Sequence, residues 1–225
     1  MLRFIKGLFV AEPEDPAPAN LVLFTPNDGS WDLKSVRRLL DAGLARLHVQ
    51  ARRDWHPQDY ERFIKAVPEA FHSRIVLEDH SELVMARGLG GYQLRPGQRA
   101  PRRWPKEGVL SAKCHSYDEL RQADRACRYV FLAPVFESVS KRDHRPRRTT
   151  REYQVIVQRW KSEGGCPAYA LGGITPRTAE KARELGFDGI GFIGSVWRQE
   201  DPVRAFLELE RAWCGREARR LRRAR

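Results

Sequence analysis

Short apolar runs alternate along the chain with longer stretches in which apolar residues recur at helical spacing. The first run, 21–25, precedes residues 32–42, where Val36, Leu39 and Leu40 fall on one face of a helix that Gly43 ends. The same alternation predicts strands at 21–25, 44–50, 74–79, 91–95, 109–113, 129–133, 168–171 and 188–193. It predicts helices at 32–42, 57–70, 81–87, 116–126, 150–161, 176–185 and 202–213.

Strands that are apolar along their whole length are typical of a parallel sheet buried on both faces. Eight such strands, nearly all followed by a helix, predict an α/β fold, a single-domain (β/α)8 TIM barrel. Residues 96–108 are rich in proline, arginine and glycine and lack helical spacing, so the fourth helix is predicted to be poorly formed. A doubly wound open sheet is the alternative, but no G-x-G-x-x-G fingerprint follows the first strand.

Composition divides the chain into three parts. Residues 1–19 are an N-terminal extension that ends in a proline-rich linker, 20–214 form the predicted barrel, and 215–225 are a basic tail. The formal net charge is +12, and residues 216–225, with six arginines and one glutamate, supply +5 of it. Such a tail can bind nucleic acid or an anionic membrane, or simply end a solvated helix. No aromatic residue interleaves with these arginines, so we do not expect a base-stacking nucleic-acid platform.

Cysteine usage and hydropathy indicate where the protein works. None of the four cysteines forms a C-x-x-C pair, and the first residues lack a convincing secretory cleavage site, which predicts reduced thiols in the cytoplasm. No stretch approaches the roughly 20 apolar residues that a membrane-spanning helix needs. We therefore expect no membrane partner, and the sequence leaves a homo-oligomer open.

Two glycine-rich loops follow the last two predicted strands. Gly172 and Gly173 come directly after strand seven and precede Thr175, a good helix N-cap, while Gly194 and Ser195 follow strand eight. Barrels of this class often bind phosphate at the loops after strands seven and eight. The four residues are therefore predicted to bind a substrate phosphate, although tight turns alone would also use these glycines.

Polar residues also follow strands two and three. His48, Gln50 and Arg52 occupy alternate positions, so period two predicts that all three reach the barrel mouth, where they would bind substrate or a pyrophosphate. A solvated basic loop is the alternative for these residues. Asp79 could bind Mg²⁺ through oxygen, act as a base, or cap the helix that begins at Ser81.

Strands five and six end in residues suited to acid–base and anion chemistry. Lys113 and His115 lie two positions apart, and histidine is the side chain best suited to transfer protons near neutral pH. Ser138 and Lys141 place a hydroxyl and an ammonium in the loop after strand six, where they could close over an anion. A basic surface loop is the alternative for the second pair.

Three segments together resemble the thiamine phosphate synthases and their relatives, the thiazole tautomerases. They are residues 129–141 (YVFLAPVFESVSK), 170–176 (ALGGITP) and 189–197 (GIGFIGSVW). The resemblance covers about residues 20–200, and its motifs stand in the expected order at the expected strand ends. It implies a (β/α)8 barrel that binds a small phosphorylated thiazole substrate at the loops after strands six to eight.

The synthase branch joins an aminopyrimidine pyrophosphate to the thiazole phosphate, with Mg²⁺ on the pyrophosphate. The resemblance implies Asp79 as a metal ligand, with Arg52 and Lys141 on the pyrophosphate. This chain departs from the synthase pattern at two places: Glu78 replaces an asparagine, and Arg95 stands where a second metal-binding aspartate is expected after strand four. Loss of that carboxylate should weaken Mg²⁺ binding.

The tautomerase branch needs no metal and aromatises a thiazole carboxylate phosphate by moving a proton. The resemblance puts a His-Ser pair after strand five in the catalytic position, and His115 and Ser116 match it. We therefore predict a tautomerase-like enzyme without a cofactor, with His115 and Lys141 as catalytic residues and Ser138 on the phosphate. The alternatives are a Mg²⁺-dependent thiamine phosphate synthase and a non-catalytic barrel that binds a phosphorylated metabolite.

Overall fold

The computed structural model describes residues 20–105, 108–123, 125–137, 146 and 148–223. Within them each strand pairs in parallel with its neighbour in the chain, and the last strand pairs with the first to close a barrel. The strands are β1 (Leu21–Phe24), β2 (Arg46–Val49), β3 (Ile75–Leu77), β4 (Gly91–Leu94), β5 (Val109–Cys114), β6 (Tyr129–Leu132), β7 (Ala168–Leu171) and β8 (Gly189–Phe192). The (β/α)8 prediction is confirmed.

Helices connect the strands everywhere except between β4 and β5, where the described residues 95–105 and 108 contain none. The predicted weakness of the fourth helix is therefore confirmed. The helices are α1 (Leu33–Asp41), α2 (Pro57–Ala66), α3 (Ser81–Arg87), α4 (Tyr117–Gln122), α5 (Thr150–Ser162), α6 (Pro176–Glu184), α7 (Gly194–Trp197) and α8 (Pro202–Arg223). None of the helices in the described part of the chain has the length and apolar character to cross a membrane.

Strand alternation separates two apolar layers. One side of each strand packs against the helices, and the other side faces the barrel interior, where a second apolar cluster is enclosed. The interior cluster contains Val22, Phe24, Tyr129, Phe131, Ala133, Tyr169 and Leu171. Four polar side chains are at most 2% exposed: Thr25, His48, Gln93 and Ser111. His48 lies beside the ring of Phe131 and the hydroxyl of Tyr129, and its other ring nitrogen contacts Gln93. The barrel is therefore a packed core with a polar component.

Four helical segments differ from the sequence predictions, and one of them is α4, which ends at Gln122 instead of residue 126. Residues 57–70 form α2 and then a separate 3₁₀ helix, Glu69–Arg74, because Val67 and Pro68 have non-helical backbone angles. The four-residue α7 is too short for a periodic signal, and the prediction missed it. Helix α8 continues past residue 213 to Arg223, interrupted at Gly215, whose φ of 67° and ψ of 175° are non-helical.

Candidate active site at the barrel mouth

The loops after β7 and β8 are adjacent at the carboxyl end of the barrel. Leu171 of β7 pairs with Gly191 of β8, so the two loops leave neighbouring strands at the same end of the barrel. Helix α7 begins at Gly194, and the indole of Trp197 at its other end donates a hydrogen bond of 2.7 Å to the carbonyl of Phe24. The short helix is thus anchored to the end of β1.

The glycine pair after β7 is required by both conformation and space. Gly172 and Gly173 have φ values of 94° and 64°, which side-chain-bearing residues rarely adopt. A Cβ atom on Gly173 would lie 2.5 Å from the carbonyl oxygen of Phe136, in the loop after β6. The amide of Phe136 also donates to the carbonyl of Gly172 at 3.1 Å. The loops after β6 and β7 are therefore packed backbone against backbone.

Several hydrogen-bond donors in these two loops have no acceptor. Oγ of Ser195 is buried and unpartnered, and the amides of Gly173, Gly194 and Ser195 donate to no acceptor among the described residues. We call residues 172–173 and 194–195 the β7–β8 cradle. Converging free donors of this kind are suited to a bound anion, because an unpaired buried polar group costs about 1–3 kcal/mol.

His48 does not reach the mouth, contrary to the expectation from its alternate position with Gln50 and Arg52. Its side chain is 2% exposed and lies in the barrel interior, with its ring centroid 4.7 Å from that of Phe24. Its ring nitrogens are both engaged: Nδ1 lies 2.7 Å from Oε1 of Gln93, and Nε2 lies 2.8 Å from the hydroxyl of Tyr129. Strand β2 ends at Val49, which leaves His48 one layer below the opening.

The polar chain around His48 has a single consistent proton arrangement. An ionised carboxylate only accepts, so Glu78 receives the hydrogen bond from Nε2 of Gln93 at 3.2 Å. Oε1 of Gln93 then accepts from Nδ1 of His48, and Nε2 of His48 accepts from the Tyr129 hydroxyl. Burial lowers the pKa of His48 to about 3, which agrees with a neutral imidazole. Glu78 also accepts from the amide of Ala51 at 2.9 Å, so the chain of bonds links the barrel interior to the mouth.

Gln50 and Arg52 lie near the mouth but are engaged within the protein. The side-chain amide of Gln50 donates to the carbonyl of Thr25 at 2.9 Å. The guanidinium of Arg52 binds the carboxylate of Asp54, with Nε to Oδ1 at 3.0 Å, and lies over the ring of Trp55. Only 14% of the Arg52 side chain is exposed. Arg52 would therefore have to exchange Asp54 for a substrate anion.

The residues at the end of β5 and directly after it carry groups that could act as a base or bind an anion. Nδ1 of His115 lies 2.9 Å from the carbonyl oxygen of Ala133, and a carbonyl only accepts, so Nδ1 carries the proton. Nε2 of the neutral ring is then the basic nitrogen, and the residue is exposed. Lys113 is half-buried at the end of β5 and has no ion pair among the described residues. Ser116 caps α4 by accepting from the amide of Glu119 at 3.1 Å. The predicted Ser138 and Lys141 lie outside the described residues.

Asp79, which the resemblance implies as a metal ligand, is paired with an arginine in the structure. Its Oδ2 atom accepts a hydrogen bond from Nη2 of Arg95 at 2.8 Å, and its Oδ1 atom lies 3.2 Å from the amide of His80. No group of three or more His, Cys, Asp or Glu side chains among the described residues could hold a metal ion. Two unit charges about 4 Å apart interact by roughly 1 kcal/mol in water and roughly 4 kcal/mol at an effective dielectric constant of 20, and Mg²⁺ beside a guanidinium doubles that repulsion. The residues present do not fit Mg²⁺ at Asp79.

Glu78, Gln93 and Arg95 are site residues that we did not predict as substrate-binding. The available signal was the period-two alternation of β4, which predicts that Arg95, one residue past the strand, lies on the same side as Gln93. What the sequence does not show is that the loops after β3 and β4 meet through the Asp79–Arg95 ion pair.

Comparison with known proteins places the chain among (β/α)8 barrels and then in one family. The model of the family described as thiamine monophosphate synthase matches residues 21–196, and the chain belongs to this family. A thiamine-phosphate synthase of Desulfitobacterium hafniense (strain Y51) is 24% identical over 80% of this chain and 89% of its own length. One of Lysinibacillus sphaericus (strain C3-41) is 27% identical over 68% of this chain and 75% of its own.

The shared length varies between relatives. A thiamine-phosphate synthase of Prochlorococcus marinus is 21% identical over 79% of this chain, but the match spans only 52% of that relative. Among solved structures, a thiamine phosphate pyrophosphorylase from Bacteroides thetaiotaomicron superposes with a TM-score of 0.67 at 25% identity, over 86% of this chain and 96% of the other. One from Pyrococcus furiosus has a TM-score of 0.68 at 20% identity, over 88% and 96%, and shows the shared fold.

Proposed function

We propose that the chain is a transferase of the thiamine phosphate synthase type, which joins a thiazole phosphate to a hydroxymethylpyrimidine pyrophosphate. Family membership supports this reaction class over the tautomerase predicted from the sequence, since the relatives described above bear the synthase name. The observation that carries the proposal is the buried Oγ of Ser195, which lacks a hydrogen-bond partner. A bound phosphate would accept this bond and remove its desolvation cost.

The thiazole phosphate would bind in the β7–β8 cradle. Oγ of Ser195 and the free amides of Gly173, Gly194 and Ser195 would donate to its oxygens, with the amides at the start of α7 adding favourable backbone dipoles. Ser138 and Lys141 belong to this proposal as further phosphate contacts from the loop after β6. The contact between Gly173 and Phe136 supports the assignment, because it brings that loop against the cradle.

The proposed reaction breaks one bond and forms one. The bond between the pyrimidine methylene carbon and the pyrophosphate oxygen breaks, and the pyrophosphate leaves with the electron pair. The lone pair of the thiazole nitrogen then forms the new C–N bond. The protein would hold the two reactants in line and stabilise the charge on the leaving group. Gln50, Arg52 and Lys113 are the proposed groups on the pyrophosphate side, and Lys113 is the cation there without a carboxylate partner among the described residues.

Aromatisation of a thiazole carboxylate phosphate is the second candidate function. It is favoured by the proton arrangement at His115, whose hydrogen bond to Ala133 leaves Nε2 as a base at the end of β5. The same phosphate cradle would anchor this substrate. In this case His115→Gln should lower the aromatisation rate by roughly 10²–10⁴-fold, because a positioned base contributes about that much. Ser116→Ala is the matched control, since it loses the cap of α4 and keeps the imidazole.

One experiment distinguishes the candidates. The purified full-length chain is given pyrimidine pyrophosphate with thiazole phosphate, and separately thiazole carboxylate phosphate, each with Mg²⁺ or with EDTA. Formation of thiamine phosphate in the first reaction supports the transferase. Aromatisation in the second, without product in the first, supports the isomerase. Tight binding of thiazole phosphate with turnover in neither reaction would identify a non-catalytic phosphometabolite-binding barrel and would overturn both proposals.

The setting proposed for this activity is the cytoplasm. None of the four cysteines, all of which lie in the described residues, is in a disulfide. Burial raises the pKa of Cys114 to about 12 and that of Cys166 to about 11, which keeps both as unreactive thiols at neutral pH. A reducing compartment suits cysteines that form no disulfide.

A further inference from the structure

Each partner of the Asp79–Arg95 ion pair is held by hydrogen bonds within its own loop, Asp79 in the loop after β3 and Arg95 in the loop after β4. The amide of Arg95 donates to Oε1 of Gln98 at 2.9 Å, and Nε2 of Gln98 donates to the hydroxyl of Tyr92 at 3.0 Å. These bonds fold the loop after β4 back on its strand. Asp79 accepts from the amide of His80, whose φ of 59° is rare for a residue with a side chain. Conformations of this kind persist where surrounding structure enforces them, often at functional sites.

His80 is itself fixed by packing. Its ring centroid lies 4.8 Å from that of Tyr60, and its Nδ1 atom lies 2.9 Å from Oε1 of Glu82. The loop after β3 therefore presents the Asp79 carboxylate in a set direction. The guanidinium of Arg95 meets it at the mouth, where 55% of the arginine side chain is exposed.

Most hydrogen-bond donors of Arg95 remain available. A guanidinium has five N–H donors, and among the described residues only Nη2 of Arg95 is engaged, by Asp79. The planar fork matches the spacing of phosphate oxygens and can bind two of them at once. A guanidinium oriented by a carboxylate on one edge and open on another is a ready anion-binding group.

We propose that the guanidinium of Arg95 binds the diphosphate group of a substrate directly at the barrel mouth. Asp79 is its positioning residue, and no divalent metal takes part. The identity of the anion as a diphosphate rests on the proposed transferase function. The location rests on the ion pair itself: Arg95 directly follows β4 and binds Asp79 in the loop after β3. The Asp79 carboxylate, which could otherwise attract a metal ion, is occupied by the arginine.

The test measures inorganic pyrophosphate binding to the full-length chain by calorimetry in EDTA. The wild type should bind pyrophosphate without metal, and Arg95→Gln should weaken the affinity by roughly tenfold or more, as expected for loss of charge-assisted hydrogen bonds. Arg99→Gln is the matched control, because it removes the same charge from an exposed position in the same loop. Arg95→Lys keeps the charge and should recover part of the affinity. Equal affinities of the Arg95→Gln and Arg99→Gln variants would overturn the proposal.

A second measurement uses Mn²⁺ as the probe and does not depend on turnover. Electron paramagnetic resonance should show no stoichiometric Mn²⁺ site in the wild type. Arg95→Asp should create one, because two carboxylates then face each other across the loops after β3 and β4. A wild-type Mn²⁺ site that Asp79→Asn abolishes would overturn the proposal. Absence of thiamine phosphate formation together with Arg95-dependent pyrophosphate binding would instead reject the transferase and leave the anion site standing.

Discussion

The Nδ1 atom of His48 lies 2.7 Å from Oε1 of Gln93 in the interior of the barrel. This bond connects a buried imidazole to Glu78 at the mouth, because Gln93 donates to that carboxylate with its other end. Glu78 in turn accepts from the amide of Ala51, in the loop after β2. A polar chain through the core thus fixes the positions of two mouth loops.

The pH dependence of stability should report the state of His48. Its pKa is lowered from 6.5 to about 3 by burial, so the unfolded chain binds this proton more strongly than the folded one. The contribution of this group to the free energy of unfolding is therefore complete above about pH 6.5. It is lost progressively as the pH falls from 6.5 towards about 3. The slope from this group is at most about 1.4 kcal/mol per pH unit.

Urea unfolding between pH 7 and pH 5 measures this dependence. His48→Gln removes the titrating group and should flatten the slope, whatever its effect on stability at pH 7. A variant slope equal to that of the wild type would show that other groups cause the dependence.

Gly173→Ala should be more costly than an alanine at an unobstructed glycine. The backbone conformation at φ 64° costs about 1–2 kcal/mol for a residue with a side chain, and the new Cβ atom also meets the carbonyl of Phe136. Gly164→Ala is the control, since Gly164 has a φ of 77° but no atom within 4 Å of the added Cβ. We expect Gly173→Ala to lower both the free energy of unfolding and phosphate binding, and Gly164→Ala to lower only the former. If the two variants lost the same free energy of unfolding and the same phosphate affinity, the backbone contact at Gly173 would be contradicted.

Ser195→Ala should separate binding from stability. The buried hydroxyl lacks a partner in the free protein, so its removal should leave the free energy of unfolding unchanged or slightly higher. Affinity for thiazole phosphate should fall by roughly tenfold, because a hydrogen bond to a charged group is lost. Thr175→Ala should show the opposite pattern, with stability lower by about 1 kcal/mol through loss of the α6 N-cap. Unchanged phosphate affinity in Ser195→Ala would remove this serine from the cradle.

The barrel itself was predictable because burial on both faces leaves a strong signal. Apolar runs such as 168–171 are followed by helix signals, and the cap at Thr175 forms as predicted. The glycine loop after β7 was also predictable, because the apolar run before it and the helix N-cap after it are adjacent in sequence. These features depend on residues close together in sequence.

The rest depends on contacts between distant segments. Period two predicts that His48 and Gln50 share one side of the chain, but it carries no information on depth below the mouth, and His48 is buried. The pairing of Asp79 with Arg95 joins loops sixteen residues apart, and a carboxylate that looks free in the sequence is engaged in the fold. The four-residue helix α7 is too short to produce a period.

Formation of thiamine phosphate by the purified chain is the most direct test of the proposed function. Thiazole phosphate and hydroxymethylpyrimidine pyrophosphate are incubated with the full-length protein, and the product is measured by its fluorescent thiochrome derivative. We predict enzyme-dependent product that persists in EDTA and that falls in Ser195→Ala and Arg95→Gln. Absence of product with both substrates present, with Mg²⁺ and with EDTA, would contradict the transferase assignment.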